Sequence, residues 1–251
     1  FSVAETQSGA LACGEEGLGR MLEADEILQL ITASEPRGEI LITGGATREP
    51  IDGIRFISNV STGQTAAALA DRLDALGWNV TYLHGNGAAL PGANIRKLAY
   101  GSVSDLDEKL RQELGGRSYR AVVHCAAVSD YSVRGADTDF KMKTAPELTL
   151  NLHANHKILP RLKEYARNKD IRVIGFKLTL NEAPEGAARE LLGASVDAVV
   201  ANEWNTVAGD RSRHPGTLLV QGGDHAAFSN LEELSQTLHR YVWGGSHDSL
   251  S

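Results

Sequence analysis

The segment from Ile40 to Gly63 places the strongest constraint on how this chain can fold. An apolar strand at Ile40–Ile42 is followed by the pair Gly44-Gly45, and Ser61-Thr62-Gly63 opens a helix. Backbone N–H groups and the positive end of a helix dipole converge at such a junction, which suits it to bind an anion. The loop between them is longer than the roughly six-residue turn of a dinucleotide-binding fingerprint. Its polar and charged side chains are Thr47, Arg48, Glu49, Asp52, Arg55 and Asn59. The segment therefore predicts a phosphate-binding loop that also holds a charged substrate.

Composition and charge argue against several classes of function. The 251 residues suffice for one large α/β domain or two small ones. A net charge of −7 and a pI near 5.6 argue against a nucleic-acid or anionic-membrane surface. No apolar run approaches the roughly 18 residues of a membrane span, and Cys13 and Cys125 suggest no disulfide framework. We therefore expect a cytoplasmic protein without a signal peptide, and the first residue, Phe1, suggests a piece of a longer chain.

Alternating strands and helices from Glu39 onward predict an α/β fold. The apolar runs are short, continuous and rich in Val and Ile, as expected for a parallel sheet covered on both faces. The predicted strands are Glu39–Thr43, Asn79–His84, Ile95–Ala99, Ala121–Val128, Arg172–Leu178 and Asp197–Ala201. The predicted helices are Thr62–Leu76, Ser104–Leu114, Lys157–Arg167, Pro184–Leu192 and Leu231–Val242. This alternation implies a Rossmann-like, doubly wound, mostly parallel sheet with its ligand at the carboxyl ends of the strands.

The remaining segments define the expected domain boundaries. Residues 1–37 combine a glycine-rich opening, a short acidic helix at Glu23–Ile31 and a linker. Residues 38–244 form the main domain, and residues 245–251 form a C-terminal tail. A late strand, Thr217–Gln221, is expected to pair antiparallel at one edge of the sheet.

Residues 129–156 interrupt the alternation between the strand ending at Val128 and the helix beginning at Lys157. A segment that long inside a compact domain is usually a lid, a flap or an interaction arm. Leucines alternate with polar residues from Glu147 to His153, which predicts a strand within this arm. Such a strand could add to the sheet of a second copy, so we expect a long flap or dimerisation arm and a homodimer.

Several short motifs follow one another between about Glu39 and Val242. They are Thr47–Asp52, Arg55–Asn59 with Ser61–Gly63, Ala126–Tyr131, Lys141–Lys143, Gly175–Leu178 and Ala201-Asn202. In this order the motifs resemble phosphopantothenoylcysteine synthetase. The resemblance implies ligation of 4′-phosphopantothenate to cysteine in coenzyme A biosynthesis, with CTP or ATP activating the carboxylate and Mg²⁺ carried on the triphosphate. An acyl-cytidylate intermediate is implied where the nucleotide is CTP.

The resemblance also assigns roles to residues at the matching positions. Asn59 would hold the activated acyl group, although an Asn here is equally compatible with a helix cap. Lys141 would contact the nucleotide, whereas its local sequence alone favours a solvated lysine. Asp130 would contact the nucleotide or the metal, or cap the following loop. The residues expected at the nucleotide are Gly44, Gly45, Ser61, Thr62, Gly63, Ala126, Asp130, His156, Lys157, Ile158, Leu159, Phe176 and Lys177.

Further candidates concern the substrate and the base. Arg48 and Arg55 could bind the phosphate of phosphopantothenate by bidentate pairing, or could pair instead with Glu49 or Asp52. Ala127, like Ala126, would matter for its small size, which lets a ligand lie against the end of the strand. Phe176 could stack on the base or belong to the core.

This chain departs from the family pattern in ways that leave the nucleotide open. Many bacterial members carry lysines in the segment equivalent to Pro184–Ser195, which here has none, and Lys177 is a candidate replacement. Cys13 resembles a cysteine of the flavin-dependent decarboxylase that precedes this domain in many bacteria. Its chemistry would require FMN and a domain that is not in this sequence, so Cys13 is expected to be idle on a disordered tail. Cys125 is expected to pack in the core.

Two other functions compete with the ligase. A short-chain dehydrogenase using NAD(P) also opens with a break such as Thr43-Gly44-Gly45, but no suitable Tyr-x-x-x-Lys pair is present. Tyr131 is followed four residues later by Gly135, and Tyr165 precedes Lys169 within a predicted helix without a catalytic serine before it. A non-catalytic nucleotide-binding relative is favoured only by the missing lysines.

Overall fold

The computed structural model describes residues 7–10, 16–20, 37–193, 195–207 and 214–244. The chain divides into two compact units, residues 1–37 and residues 38–251. In the first unit, β1 (Gln7–Ala10) and β2 (Glu16–Arg20) form an antiparallel pair that the sequence did not predict. Cys13, the predicted helix Glu23–Ile31 and the tail 245–251 lie outside the described residues.

The second unit contains a counterpart of every strand and helix predicted after Glu39. Its strands are β3 (Glu39–Gly44), β4 (Arg48–Pro50), β5 (Phe56–Ser58), β6 (Asn79–Gly85), β7 (Arg96–Tyr100), β8 (Tyr119–His124), β9 (Tyr131–Val133), β10 (Leu152–Ala154), β11 (Arg172–Thr179), β12 (Ala198–Glu203), β13 (Gly216–Val220) and β14 (His225–Phe228). Its helices are α1 (Gln64–Ala75), α2 (Val103–Gly116), α3 (Leu162–Tyr165), α4 (Pro184–Arg189), α5 (Trp204–Val207) and α6 (Leu231–Trp243), with a 3₁₀ turn at Leu159–Arg161.

The central sheet has eight strands in the order β14-β13-β12-β11-β8-β3-β6-β7. The six strands from β12 to β7 are parallel, whereas β13 pairs antiparallel with both β12 and β14. The chain winds outward from β3 in one direction through β6 and β7, and in the other through β8, β11 and β12. The topological switch point therefore lies between β3 and β8, where open α/β sheets bind their ligands. This order confirms the predicted Rossmann-like, mostly parallel fold.

Two hydrophobic layers enclose the sheet. Alternate residues of β3 face opposite sides, because Ile40 and Ile42 belong to one buried cluster and Leu41 belongs to the other. Helices α1 and α6 cover the first face, and α2, α3 and α4 contribute to the second. Cys125 is partly buried against the first cluster, which confirms its predicted place in the core. In the described part of the chain, no helix has the length and apolarity needed to cross a membrane.

The ends of the sheet differ from the prediction. Strand β13 pairs antiparallel with β12 as expected, but β14 pairs with its other side and forms the edge. The strand predicted to run to Val128 ends at His124. The apolar residues that follow it, up to Val128, lie in a loop. The helix predicted to begin at Lys157 starts instead as a 3₁₀ turn at Leu159. Pro160 lies in the first turn of this segment, where its missing N–H leaves no intrahelical hydrogen bond unmade.

The arm between β8 and β11 is also less regular than predicted. The alternation from Glu147 to His153 yields only the three-residue strand β10, and Leu148 and Leu150 lie outside it. Strand β10 pairs with β9 of the same arm. The strand that we expected to pair with the sheet of a second protomer therefore has a partner within its own chain. Pairing within the arm satisfies its backbone groups locally.

Candidate active site

The loops that follow β3 and β8 meet at the switch point. The amide of Ala127 donates to the carbonyl of Gly45 at 2.8 Å, and the amide of Thr47 donates to the carbonyl of Ala127 at 3.3 Å. Ala46 and Ala127 form a parallel bridge between these bonds. The pairing of the two central strands thus continues past their ends, and it brings the predicted glycine and alanine positions together.

The glycine loop is packed too closely for any side chain. Gly45 and Gly63 have φ values of 83° and 73°, and a Cβ on either would lie 2.6 or 2.8 Å from the Cβ of Ala88. At Gly44 a Cβ would lie 2.4 Å from the Cβ of Ala66 in α1. Distances this short exclude a side chain unless the backbone moves, so the glycines allow the loop after β3 to lie directly on α1 and the loop after β6.

Two buried tyrosines hold the carbonyl side of the same loop. The hydroxyl of Tyr100 lies 2.9 Å from the carbonyl oxygen of Gly44 and 3.2 Å from that of Gly45, and the hydroxyl of Tyr82 lies 3.3 Å from that of Gly63. Burial raises the pKa of both phenols, which keeps them protonated donors. Sequence reasoning did not assign these tyrosines, although a Tyr within an apolar strand needs a buried partner for its hydroxyl.

Helix α1 begins without a side-chain cap. Gly63 is its N-cap residue, and within the described chain no side chain accepts from the first-turn amides. Ser61 is half-buried and Thr62 is exposed in the approach to the helix. Asn59, which could have capped it, is exposed and donates from Nδ2 to the carbonyl of Val128 at 3.2 Å. The first-turn amides therefore keep their capacity for an anion, and Asn59 links the loops of β3 and β8.

Glu49 has a structural position at the base of the long loop. Its carboxylate is buried and accepts from the amide of Val103, the first residue of α2, at 2.8 Å. The hydroxyl of Ser132 in the arm donates to its other oxygen at 2.6 Å. Ser102 also caps α2 through its side chain. Within the described residues Glu49 is thus engaged by a helix end and the arm, and it pairs with neither candidate arginine.

The two arginines have different surroundings. Arg55 forms an ion pair with Asp52 at 2.7 Å, which is the alternative left open by the sequence. Arg48 lies over the ring of Phe56, with its Cζ 4.7 Å from the ring centroid. Among the described residues Arg48 makes no ion pair with Glu49 or Asp52, so its guanidinium edges are available to a phosphate. Binding of phosphate by either arginine remains a prediction.

Asp52 is the most strongly hydrogen-bonded carboxylate of the loop. It is buried, and the backbone N–H groups of Arg55 and Ile54 lower its pKa to about 2, with further donors at Met142 and the Arg55 side chain. Met142 lies between Lys141 and Lys143 on the arm, and both lysines are exposed. The arm is therefore attached to the long loop immediately beside the predicted catalytic lysine.

The other predicted nucleotide contacts lie along the loop after β8 and the segment before α3. The carboxylate of Asp130 pairs with the ammonium of Lys157, and both side chains are exposed. His156 lies 3.5 Å from a carboxylate oxygen of Asp107. Ile158 is buried in the core, so it can offer only its backbone to a ligand. The side chain of Leu159 packs against Gly175, where an added Cβ would lie 2.8 Å from Cδ2 of Leu159.

Phe176 and Lys177 lie inside β11 and not after its end. Strand β11 continues to Thr179, four residues past Gly175, its last residue paired with β8. Beyond that point β11 is supported only by β12 in the described sheet. Phe176 is half-buried and packs against the core cluster, while Lys177 is half-buried. The geometry favours core packing for Phe176, and base stacking remains a prediction.

A nucleotide-borne Mg²⁺, which the resemblance implies, needs few ligands from the protein. In the part of the chain that the structure describes, no group of three or more His, Cys, Asp or Glu is arranged to hold a metal. Asp130 offers one exposed carboxylate, already paired with Lys157. Mg²⁺ on a triphosphate usually takes only one or two protein carboxylates, so this donor set fits a nucleotide-borne ion better than a fixed metal site.

The buried side chain of His124 lies beneath the loops that follow β3 and β8. Its Nδ1 is 2.9 Å from Oγ1 of Thr43, and that oxygen also accepts from the amide of Ala126 at 3.1 Å. Burial lowers the pKa of His124 to about 4, so the imidazole is neutral at pH 7. The neutral ring and the threonine hydroxyl together support the point where the β8 loop leaves the sheet.

The protonation of His124 predicts a pH dependence of stability. Between pH 6.5 and pH 4 the unfolded chain binds a proton at this residue that the folded chain does not, so the free energy of unfolding falls as the pH falls. We expect this histidine to contribute a loss of about 2 kcal/mol between pH 7 and pH 5. Urea unfolding of the wild type and His124→Asn at both pH values measures it. Equal losses in the two proteins would contradict the prediction.

The sequence profile of the DNA/pantothenate metabolism flavoprotein C-terminal domain, DFP, matches residues 37–242. The chain belongs to the DFP family. It is 33% identical over 197 residues to the Coenzyme A biosynthesis bifunctional protein CoaBC of Thermococcus kodakarensis, in an alignment covering 75% of this chain and 48% of that protein. The chain thus spans about half the length of the curated relatives it matches.

Solved structures share the DFP fold. The DNA/pantothenate metabolism flavoprotein from Streptococcus pneumoniae superposes with a TM-score of 0.72 at 23% identity, covering 83% of this chain and 100% of that chain. A Cab2 variant in complex with phosphopantothenate-cysteine gives a TM-score of 0.64 at 19% identity, covering 88% and 92%. At these identities the likeness establishes the fold, and the DFP assignment comes from the sequence.

Proposed function

We propose that this chain ligates 4′-phosphopantothenate to cysteine in coenzyme A biosynthesis, at the expense of a nucleoside triphosphate. The observation that carries the proposal is DFP membership across residues 37–242, nearly the whole of the second unit. Two further facts support it. The CoaBC relatives are named as coenzyme A biosynthesis proteins, and the Cab2 structure contains phosphopantothenate-cysteine, the joined product.

The proposed reaction has two steps. The carboxylate of phosphopantothenate attacks the α-phosphate of the nucleotide, proposed to be CTP, and pyrophosphate leaves to give an acyl-cytidylate. The amine of cysteine then attacks the acyl carbon and CMP leaves. Both steps build negative charge on oxygen, so the protein acts by positioning and electrostatic stabilisation. Mg²⁺ bound to the triphosphate would supply part of that stabilisation.

The chain's own groups suit these demands. The uncapped first turn of α1 and the glycine loop offer backbone donors to phosphate oxygens. Asn59 offers an amide that donates without titrating, and Lys141 offers an exposed ammonium on the arm. Arg48 is the better placed arginine for the phosphate of the substrate, because Arg55 is engaged by Asp52.

The proposal extends to assembly and compartment. The arm and the long loop expose large apolar side chains at Ile54, Val60, Phe140 and Leu148, which is consistent with a homodimer through this region. The expected compartment is the cytoplasm, where the thiols stay reduced. Decarboxylation would require a separate FMN-binding domain.

The deciding experiment is pyrophosphate release with 4′-phosphopantothenate and Mg²⁺, comparing CTP with ATP, with and without cysteine. Release that depends on phosphopantothenate would support acyl-nucleotide chemistry and identify the preferred base. No release from folded protein with either nucleotide would refute the ligase and leave the non-catalytic relative. DFP membership removes the reason to retain the dehydrogenase alternative.

A further inference from the structure

The carboxylate of Asp52 lies between the long loop and the arm. Its Oδ1 accepts from the amides of Ile54 at 2.9 Å and Arg55 at 2.8 Å, which closes the turn between β4 and β5. Its Oδ2 accepts from the amide of Met142 at 3.0 Å. The side chain itself is fully buried, so one carboxylate both shapes the loop and binds the arm.

Arg55 completes this attachment. Its Nε lies 3.0 Å from Oδ2 of Asp52, and its Nη2 donates to the carbonyl of Met142 at 2.6 Å. Both backbone polar groups of Met142 are therefore held by one ion pair. The amide of Gly53 adds a bond to the carbonyl of Phe140 at 2.9 Å. We call these contacts of Asp52, Gly53 and Arg55 with Phe140 and Met142 the arm clasp.

The arm clasp joins two residues assigned to the reaction. Met142 directly follows Lys141, and Arg55 directly precedes β5, which leads into Asn59. We propose that Asp52 is a positioning residue that holds Lys141 in register with Asn59 through the arm clasp. This inference rests on the proposed ligase function. It gives Asp52 a role that acts through the arm and requires no contact with substrate.

The chemistry of the clasp requires a carboxylate at this position. Both oxygens of Asp52 accept hydrogen bonds, from four donor groups on two segments. An asparagine could offer its oxygen to only one of the two segments and would turn an NH₂ donor toward the N–H groups of the other. Asp52→Asn therefore keeps the size of the side chain but opposes two donors across a buried contact, which releases the arm.

Limited digestion with trypsin tests the attachment without relying on activity. Trypsin cleaves after lysine, so Lys141 and Lys143 report directly on the segment held by the clasp. We expect Asp52→Asn to be cut at these residues at least about tenfold faster than the wild type. Asp139→Asn is the matched control, because Asp139 is exposed on the same arm and the change removes the same charge. The control should be cut at the wild-type rate.

Kinetics of the full ligation test the positioning role. We expect kcat of Asp52→Asn to fall about tenfold while KM for phosphopantothenate stays within about twofold of wild type. A general effect of charge on anionic substrates would instead change KM in both variants. If the wild type releases no pyrophosphate, the ligase proposal fails and this inference fails with it, whereas the digestion still reports whether Asp52 holds the arm.

A second variant decides the question if Asp52→Asn does not fold. In Gly53→Ala the new Cβ would lie 2.6 Å from the carbonyl oxygen of Thr138 and 3.3 Å from that of Phe140, so the arm must move while Asp52 stays intact. We expect faster cleavage and a lower kcat, as for Asp52→Asn. A folded variant of either kind with wild-type cleavage and wild-type kcat would overturn the proposal.

Discussion

Replacing Asn59 by alanine is expected to slow product formation by about 100-fold to 1,000-fold, with nucleotide binding close to wild type. The side chain is exposed, and among the described residues its one hydrogen bond is to the carbonyl of Val128, so its removal costs little stability. In the proposed reaction the amide donates to an oxygen that gains charge in the transition state, where a single donor has a large effect on rate. Product formation and nucleotide affinity, measured on the same preparation, test this expectation.

Asn94→Ala is a suitable control for that measurement. Asn94 is also exposed, and it precedes β7 at the amino end of the parallel strands, the edge opposite the site. This control should retain wild-type turnover. If Asn59→Ala also turns over normally, Asn59 has no part in the mechanism. If it loses nucleotide binding as well, its role is in holding the loop.

Gly45→Ala is expected to lower the free energy of unfolding by about 2 to 4 kcal/mol. Two effects add, because the residue has a φ of 83° and its Cβ would lie 2.6 Å from the Cβ of Ala88. For a domain of this size the melting temperature should fall by about 4 to 16 °C. The loop that carries the phosphate donors would be displaced, so nucleotide affinity should fall in the same variant. Thermal unfolding and calorimetric titration with nucleotide measure the two effects.

Gly186→Ala provides the comparison for this change. Gly186 lies in α4, where an added Cβ would meet nothing within 4 Å. The same substitution should therefore leave the protein as stable as wild type, or raise its stability by about 0.4 to 1 kcal/mol through helix propensity. A Gly45→Ala protein as stable as Gly186→Ala would show that the loop adapts without strain.

The central sheet was predictable because its local and global signals agree. Continuous apolar runs such as Ile40–Ile42 must be buried on both faces, and Gly77 marks the end of the following helix with a φ of 87°. The same reasoning predicts an anion site in the loop after Ile40–Ile42, because glycines and a helix start follow the end of that strand. The hydrogen bond from Ala127 to Gly45 is a finding of the structure that no local pattern indicated.

The arm and the hydrogen bonds within the site could not be predicted, because they depend on tertiary contacts that leave no local sequence pattern. The alternation from Glu147 to His153 is typical of a long strand, but only β10 found a partner for its backbone. The hydroxyls of Tyr82 and Tyr100 reach residues far away in sequence, so no local spacing reveals them. The pairing of Asp52 with Arg55 was visible as one alternative, whereas its bond to Met142, 90 residues away in sequence, was not.

The buried carboxylate of Glu49 gives the site a means of discrimination. Helices α1 and α2 both start at the carboxyl edge of the parallel strands, so both offer positive amide ends on the same side of the sheet. Glu49 and Ser102 already occupy the end of α2, whereas the N-cap residue of α1 brings no side-chain acceptor in the described chain. The protein thus supplies its own anion, Glu49, to the start of α2 and none of the described side chains to the start of α1. Of these two helix ends, only that of α1 is left to an external anion, which in the proposed reaction would be the triphosphate.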